Sequence, residues 1–201
     1  MIPIVLASAS PRRQALLTAL GIDVEVRTGN TQEILDGTPV DVVLTNARNK
    51  RDEAVARLDR PALVIAADTI VVLGEWIMGK PAELGEARAM LRALSGNTHE
   101  VLTGVAVHDT KSGKSAEGYE TTRVTFRSLS ESEISAFVEA VNPIDRAGAY
   151  TVDGPGSLLV ARYEGCYQNV LGLPIVRLDD MLRGIGDGLF IRMHGAKARF
   201  L

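Results

Sequence analysis

The run ALVIAADTIVVLG (62–74) restricts the possible folds of this chain more than any other stretch. It is rich in β-branched residues and almost wholly apolar, which predicts a central strand buried on both faces of a sheet. Asp68 and Thr69 interrupt it. A carboxylate buried there must be hydrogen-bonded, paired or metal-bound, because burying an isolated one is costly. The alternative is that the run forms two strands, with Asp68 in the turn between them.

Strands and amphipathic helices alternate around this run in the first half of the chain. Short strands are predicted up to Ala7 and over 24–28, and a polar loop is predicted over 29–37. Helices are predicted at three places: from Pro11 to a stop at Gly21, from Pro39 onward, and up to a stop at Gly96.

The second half of the chain has a different pattern. Segments on either side of the turn TKSGK (110–114) predict a long hairpin, and Ser130 with Glu133 predicts a capping box ahead of a helix. A Gly-rich stretch, a strand over 158–163 and a helix over 174–182 follow. We therefore predict an α/β or α+β fold, with a mixed twisted sheet flanked by helices and a cleft between two lobes.

Length and charge narrow the classes of protein to which the chain can belong. At 201 residues, we expect a single domain over 1–184 and a tail over 185–201. The net charge of −3 provides no basic field for nucleic acid or anionic membranes. A single cysteine, Cys166, excludes an internal disulfide framework. Apolar runs are too short to span a bilayer and residues 1–9 do not resemble a signal peptide, so a cytoplasmic location is expected.

The segment SASPRR places two cations at an unfavourable position. Ser10 and the proline after it mark a helix start, so Arg12 and Arg13 occupy the first turn, where the helix dipole is positive. With the backbone N–H groups and the hydroxyls of Ser8 and Ser10, they make a candidate anion site. The alternative is a capped surface helix whose arginines point into solvent.

Three further charged residues are candidates for the same site. Glu33 lies in the polar loop and is a candidate to share a divalent cation with Asp68. Lys50 lies on the second helix, and Lys80 lies in a constrained Gly-Lys-Pro turn where it is a candidate to hold a phosphate. Taken alone, each of the three also fits a solvated surface residue.

Motifs for several other chemistries are missing from the sequence. GPGS (154–157) is not a Walker loop, because no Gly-Lys-Ser/Thr follows it. The three histidines are not at metal-ligand spacing and Cys166 has no cysteine partner, which argues against a zinc site and against Ser-His or Cys-His catalysis. What remains is two carboxylates with several cations. Such oxygen ligands suit Mg²⁺ or Mn²⁺, and such cations suit a polyphosphate.

Six segments follow one another along the chain in a characteristic order: LASASPRRQALL, NARNK, AADTIVV, GKP, LSGNTHEVLTGVAV and DRAGAYTVDG…NVLGLP. From about Ile4 to Leu182 this series resembles the Maf family. The resemblance implies an inosine-triphosphatase-like fold and a nucleotide pyrophosphatase, a family also described as septum-formation inhibitors. The implied reaction is hydrolysis of the α–β phosphoanhydride of a nucleoside triphosphate, giving the monophosphate and pyrophosphate. A divalent cation (Mg²⁺ or Mn²⁺) and a homodimer are also implied.

The resemblance also implies roles for particular residues. Asp68 would be the general base or the metal-binding carboxylate that activates water, and Glu33 would help to bind the metal. The residues that would contact the triphosphate are Ser8, Ser10, Arg12, Arg13, Lys50 and Lys80, with Thr69 as a further substrate contact.

Residue 153 is the position at which the chain departs from the pattern of the family. Arg12, AGAY (147–150) and NVLGLP (169–174) resemble the branch that acts on dTTP and UTP. Asp153 stands where that branch usually has Gln and where the 7-methyl-GTP branch has Glu. An ionised aspartate only accepts hydrogen bonds, whereas a glutamine amide also donates them. Specificity for dTTP and UTP is expected, with 7-methyl-GTP-type or broadened specificity as the alternative.

Two other classes of function stay open. A nucleotide-binding regulator of cell division would act through partners rather than through turnover. The presence of Asp68 with Lys50 and Lys80 favours catalysis, because a sensor needs no water-activating carboxylate. A nucleic-acid-binding protein is disfavoured by the negative net charge and the lack of a basic stripe with aromatic residues. The expected partner is therefore a nucleoside triphosphate, and neither nucleic acid nor a membrane is expected to bind.

Overall fold

The structure is a computed structural model that describes residues 1–194. Its strands are, in chain order, Ile4–Leu6 (β1), Val24–Val26 (β2), Leu63–Leu73 (β3), Trp76–Met78 (β4), Thr98–Asp109 (β5), Ser115–Phe126 (β6) and Val160–Glu164 (β7). They form one mixed sheet in the order β2-β1-β3-β5-β6-β7, with β4 paired to β3. β1 is parallel to β2 and β3, and the remaining pairings are antiparallel.

Within residues 1–194, six α-helices pack around this sheet. They are Pro11–Ala19 (α1), Pro39–Ala56 (α2), Leu84–Leu94 (α3), Glu131–Val141 (α4), Tyr167–Val170 (α5) and Ile175–Ile185 (α6). The predicted mixed α/β architecture is confirmed. So are the long hairpin of β5 and β6 and the capping box at Ser130, in which both reciprocal hydrogen bonds are present.

β3 is paired unevenly along its two edges. β5 follows one edge from Leu63 to Val72. The other edge is shared, because β1 pairs with residues 63–65 and β4 pairs with residues 71–73. Residues 66–70 therefore face a gap between β1 and β4, and Asp68 lies at the middle of this gap. The alternative of two strands with Asp68 in a turn is excluded, because β3 runs through this residue without a break.

Side chains along β3 alternate between the two faces of the sheet. Ala66 and Ile70 lie on the face covered by α2, where Ile70 packs against Val43. Asp68 lies between them and faces α2 as well. Thr69, one residue later, faces the opposite side, toward α1. The gap in the sheet makes both side chains accessible from one cleft.

The two largest hydrophobic clusters of the described residues lie in two lobes on either side of this gap, and two smaller clusters pack beneath α2. One cluster surrounds α1 and α6 and includes Leu17, Ile65 and Leu182. The other surrounds α3 and α4 and includes Leu91 and Phe126. Each cluster has its own helices, so the sheet passes from one lobe to the other at the level of the gap. A cleft between two lobes is therefore a consequence of where the apolar residues lie.

Some element boundaries differ from the predicted ones. The segment WIMGKP contains the strand β4, and the loop before 174 contains the short helix α5; neither was predicted. α6 continues to Ile185, and Leu189 is buried in the core, so packing extends beyond residue 184. The end of the expected tail, 195–201, lies outside the described residues.

Candidate active site

The gap beside β3 opens into a cleft of about 390 Å³. This volume lies within the range of small-molecule sites. Nine of the ten residues predicted from the sequence line the cleft: Ser8, Ser10, Arg12, Arg13, Glu33, Lys50, Asp68, Thr69 and Lys80. Asp145 also lines it, so the cleft contains four cationic side chains and three carboxylates.

Asp68 and Glu33 converge on a single ammonium group. Lys50 Nζ lies 2.6 Å from Asp68 Oδ1 and 2.7 Å from Glu33 Oε1. Lys80 Nζ lies farther from Glu33, at 3.3 Å. Burial raises the pKa of Glu33, but the hydrogen bond and charge of Lys50, together with Lys80, outweigh it, so the pKa lies below its ordinary value. Asp68 is 5% exposed, so its charge is balanced within the protein by Lys50.

Arg13 turns inward from the first turn of α1 instead of pointing into solvent. Its guanidinium donates to the Gly172 carbonyl at 2.7 Å, to Ser8 Oγ at 2.8 Å and to Thr69 Oγ1 at 2.9 Å. Burial lowers the pKa of Arg13, and the charge of Asp68 opposes that effect. These acceptors compensate for the unfavourable helix dipole. Arg13 therefore joins three segments that line the cleft.

The hydroxyl of Thr69 is already used in this network. It accepts a hydrogen bond from Arg13. The Thr103 hydroxyl donates its proton to the carbonyl of Asn169 at 3.0 Å, so in the 2.9 Å hydrogen bond between the two threonines Thr69 is the donor. A substrate that contacts Thr69 therefore meets a hydroxyl whose proton is committed to Thr103.

Arg12 and Ser10 are less constrained. Within residues 1–194 the Arg12 guanidinium makes no hydrogen bond. Burial lowers the pKa of Arg12 and the charge of Arg146 adds to this, while Asp145 and Asp153 oppose it. Ser10 is the N-cap of α1, as predicted, but within the described residues its hydroxyl makes no capping hydrogen bond. Both side chains are available to a ligand in the cleft.

Asp153 lies apart from the other predicted residues. It precedes the 3₁₀ turn Gly154–Leu158 and does not belong to the described lining of the cleft. Its carboxylate accepts a hydrogen bond from the hydroxyl of Thr151, which does line the cleft. Asp153 is thus linked to the cleft through its hydrogen bond with Thr151 and does not line the cleft itself.

Two buried residues around the cleft were not recognised from the sequence. Asn46 donates to Asp68 Oδ2 at 2.9 Å, and Tyr150 lines the cleft with its hydroxyl 2.7 Å from His99 Nε2. Asn46 could have been found, because it is a carboxamide four residues before Lys50 on the apolar face of the predicted helix. No local pattern indicates the pairing of Tyr150 with His99, which are 51 residues apart.

The two carboxylates fit a divalent cation. Their oxygens already converge on one positive charge, and hard cations prefer oxygen ligands of this kind. Over the described part of the chain, no cluster of three or more His, Cys, Asp or Glu residues is arranged to hold a metal. Two carboxylates supplemented by water and phosphate oxygens are the usual protein ligands of Mg²⁺, so Asp68 and Glu33 are sufficient.

Comparison with known proteins identifies the family. The profile of the Maf-like protein family matches residues 3–185. The chain belongs to the Maf family. A relative in that family, named dTTP/UTP pyrophosphatase, from Pelotomaculum thermopropionicum is 48% identical over 185 residues, covering 91% of this chain and 96% of its own. A dTTP/UTP pyrophosphatase of Desulforamulus reducens is 42% identical, covering 92% and 98%.

Structural comparison finds a more distant similarity for this Maf-family chain. The nucleoside-triphosphatase / dITP/XTP pyrophosphatase of Mycobacterium abscessus is similar to 62% of this chain and 74% of its own, with 16% identity and a TM-score of 0.41. In the described residues 1–194, no helix has the length and apolar composition needed to cross a membrane.

Proposed function

We propose that this protein is a nucleoside triphosphate pyrophosphatase that hydrolyses the α–β phosphoanhydride of dTTP or UTP. The observation that carries the proposal is the convergence of Asp68, Glu33 and Lys50 in a cleft that also contains Lys80 and the N-terminus of α1. The names of the relatives described above support the same reaction and the same substrates. We also propose a cytoplasmic location, and a homodimer stays a prediction.

The charges of the cleft suggest how the reaction proceeds. Lys50, Lys80 and Arg12 bind phosphate oxygens and stabilise the charge that develops on the leaving pyrophosphate. Ser8 and Ser10, at the N-terminus of α1, contribute hydroxyls and backbone N–H groups to the same phosphates. Arg13 contributes indirectly, since its hydrogen bonds hold Ser8 and Thr69 in place.

Asp68 accepts the proton of the attacking water. Water attacks the α-phosphorus, the bond from that atom to the bridging oxygen breaks, and pyrophosphate leaves with the electron pair. Asp68 and Glu33 would hold a divalent cation, which would supply further stabilisation of phosphate charge. Asp68 is suited to the proton transfer because its carboxylate is fixed by two hydrogen bonds before substrate arrives.

The presence of aspartate at position 153 favours a second candidate specificity. Its charge acts on Arg12, which faces the cleft, and its carboxylate accepts a hydrogen bond from Thr151. An aspartate shortens the side chain by one methylene relative to glutamine and removes a donor. The second candidate is therefore the same reaction with a broadened or 7-methyl-GTP-type base preference.

The test is pyrophosphate release from a panel of nucleotides, including dTTP, UTP and 7-methyl-GTP, with Mg²⁺ or Mn²⁺. For the Asp68→Asn variant we expect kcat to fall by about 10²- to 10⁴-fold, the usual contribution of a general base, with nucleotide binding retained. Asp145→Asn, at the other aspartate of the cleft, is the matched control and should keep its kcat. If the unaltered protein binds a nucleotide but releases pyrophosphate from none, the proposal is wrong and a regulatory role is favoured.

A further inference from the structure

Asn46 is a buried amide to which the proposed chemistry gives no part. It lies on α2, one turn before Lys50 and on the same side of the helix, and is 1% exposed. Its nitrogen donates to Asp68 Oδ2 and to the Ile34 carbonyl, both at 2.9 Å. Its oxygen accepts from the Ile34 N–H, also at 2.9 Å. The amide has two donors and one acceptor group, and all are used.

These hydrogen bonds connect the two carboxylates of the site. Ile34 follows Glu33, so the paired bonds to its N–H and carbonyl fix the part of the loop that carries Glu33. The third bond fixes Oδ2 of Asp68, while Lys50 binds Oδ1. One buried side chain therefore ties the Glu33 loop to Asp68 on β3, in addition to the contacts that Lys50 makes with both carboxylates.

A neutral group is suited to this position. Lys50 Nζ occupies the point where Asp68 and Glu33 converge, so a divalent cation that binds both carboxylates competes with Lys50 for the same oxygens. Asn46 binds the other oxygen of Asp68 and carries no charge that repels a cation. Its hydrogen bonds are compatible with either occupant, so they hold the carboxylates when the Lys50 contacts are exchanged.

We propose that Asn46 is a positioning residue that holds Asp68 and the Glu33 loop in a fixed arrangement for hydrolysis. The catalytic part of this inference rests on the proposed function. The structural part, that Asn46 docks the Glu33 loop, is independent of it.

The experiment uses two substitutions and one control in the full chain. Asn46→Leu removes all three hydrogen bonds at similar side-chain size, and Asn46→Asp keeps the shape but replaces both donors by an acceptor. Asn49→Leu is the matched control, because Asn49 lies on the same helix and its side chain makes no hydrogen bond within residues 1–194. If Asn46→Leu does not fold, Asn46→Asp decides the test.

Two experiments are made: hydrogen exchange at the Ile34 amide, and steady-state kinetics that give kcat and KM for pyrophosphate release from dTTP at saturating Mg²⁺. For the Asn46 variants we expect the Ile34 amide to exchange faster and kcat to fall by about 10- to 100-fold, the usual cost of losing a partner that orients a metal-binding group. KM should change little, because the loss concerns the transition state. Asn49→Leu should match the unaltered protein in both measurements.

Either of two results overturns the inference: an unchanged Ile34 exchange rate, or a lost protection at Ile34 with unchanged kcat, which would leave Asn46 with a purely structural role. If the unaltered protein releases no pyrophosphate, the proposed function is wrong. The exchange rate of the Ile34 amide then still decides whether Asn46 docks the loop.

Discussion

Arg12 and Arg13 are adjacent in the sequence but differ completely in environment. Successive residues of a helix are rotated by about 100°, so one guanidinium reaches the cleft while the other turns beneath it. Arg13 is 9% exposed and has three acceptors from three different segments. Arg12 has no hydrogen-bonding partner within the described residues and faces the space where a ligand would lie. Arg13 therefore contributes to the stability of the fold, whereas Arg12 is available to bind a ligand.

Lysine substitution distinguishes these roles. Arg13→Lys retains a positive charge but cannot reach the Gly172 carbonyl, Ser8 and Thr69 together, because an ammonium is a point charge and a guanidinium is a planar fork. We expect the free energy of unfolding to fall by about 1–3 kcal/mol, the cost of leaving buried polar groups without partners. Urea denaturation followed by circular dichroism measures this.

Arg12→Lys is the control for this prediction. It should leave the free energy of unfolding nearly unchanged and lower kcat/KM for the nucleotide, because only the ligand contact is altered. An Arg13→Lys variant as stable as the unaltered protein would contradict the role in joining the three segments.

At the residue scale, the sequence predicted well which residues line the cleft. It predicted less well which partners each of these residues contacts. Asp68 was found because a carboxylate in an apolar strand demands a partner, and Glu33 and Lys50 are indeed near it. The inward turn of Arg13 and the contact of Asn46 with the Glu33 loop could not be predicted, because their partners at Gly172, Thr69 and Ile34 are brought close only by the fold.

At the scale of elements, α2 must lie very close to the sheet for Asn46 and Lys50 to reach Asp68. Gly104 on β5 is paired directly with Asp68 and lies beneath α2. A Cβ atom at this glycine would lie 2.4 Å from the carbonyl oxygen of Val43, which belongs to the helix backbone. Glycine is required here for space, and the close approach of helix and strand depends on it.

Gly104→Ala should therefore displace α2 from the sheet. Because the atom that the new methyl group meets is backbone, the whole helix must move, and Asn46 and Lys50 move away from Asp68 with it. We expect the free energy of unfolding to fall by about 1–3 kcal/mol, as for other overpacked sites, with a loss of pyrophosphate release. Urea denaturation and the pyrophosphate assay measure the two effects.

A second glycine provides the opposite case. Gly184 lies in α6, and among the described residues an added Cβ would meet no heavy atom within 4 Å apart from its chain neighbours and the backbone of its own helix. Gly184→Ala should raise the free energy of unfolding by about 0.4–1 kcal/mol, because alanine lowers the conformational entropy of the unfolded chain. Activity should be unchanged. If alanine changed the free energy of unfolding equally at Gly104 and Gly184, the lack of space at Gly104 would not be the reason for its glycine.

At the scale of the whole molecule, the class of fold followed from the sequence but the position of the cleft did not. Apolar periodicity indicated the strands and helices, and the change of pattern between halves indicated two lobes. The cleft, however, results from β1 and β4 sharing one edge of β3, and β4 is only three residues long. Such a short strand has too few residues for a periodic pattern, so the gap around Asp68 could not be located in advance.

The core of the second lobe contains a group that makes the stability of the molecule depend on pH. His99 on β5 is 2% exposed and packs against the edges of Phe126 and Tyr150, with ring centroids 5.0 and 5.4 Å away. Burial lowers the pKa of His99 from its ordinary value of 6.5 to about 4. The folded protein thus keeps this histidine neutral at a pH where the unfolded chain would protonate it.

The free energy of unfolding should therefore decrease as the pH falls from 6.5 to 4, and the contribution of His99 is fully present above pH 6.5. Between these values the unfolded chain binds a proton that the folded protein does not, which gives a slope of up to about 1.4 kcal/mol per pH unit. Urea denaturation of the unaltered protein and of His99→Gln over this range isolates the effect, because all other titrating groups are common to both. The His99→Gln curve should be flatter by that slope below pH 6.5 and parallel above it. Curves that stay parallel throughout would mean that the folded protein admits a proton at His99 as readily as the unfolded chain does, and would contradict this prediction.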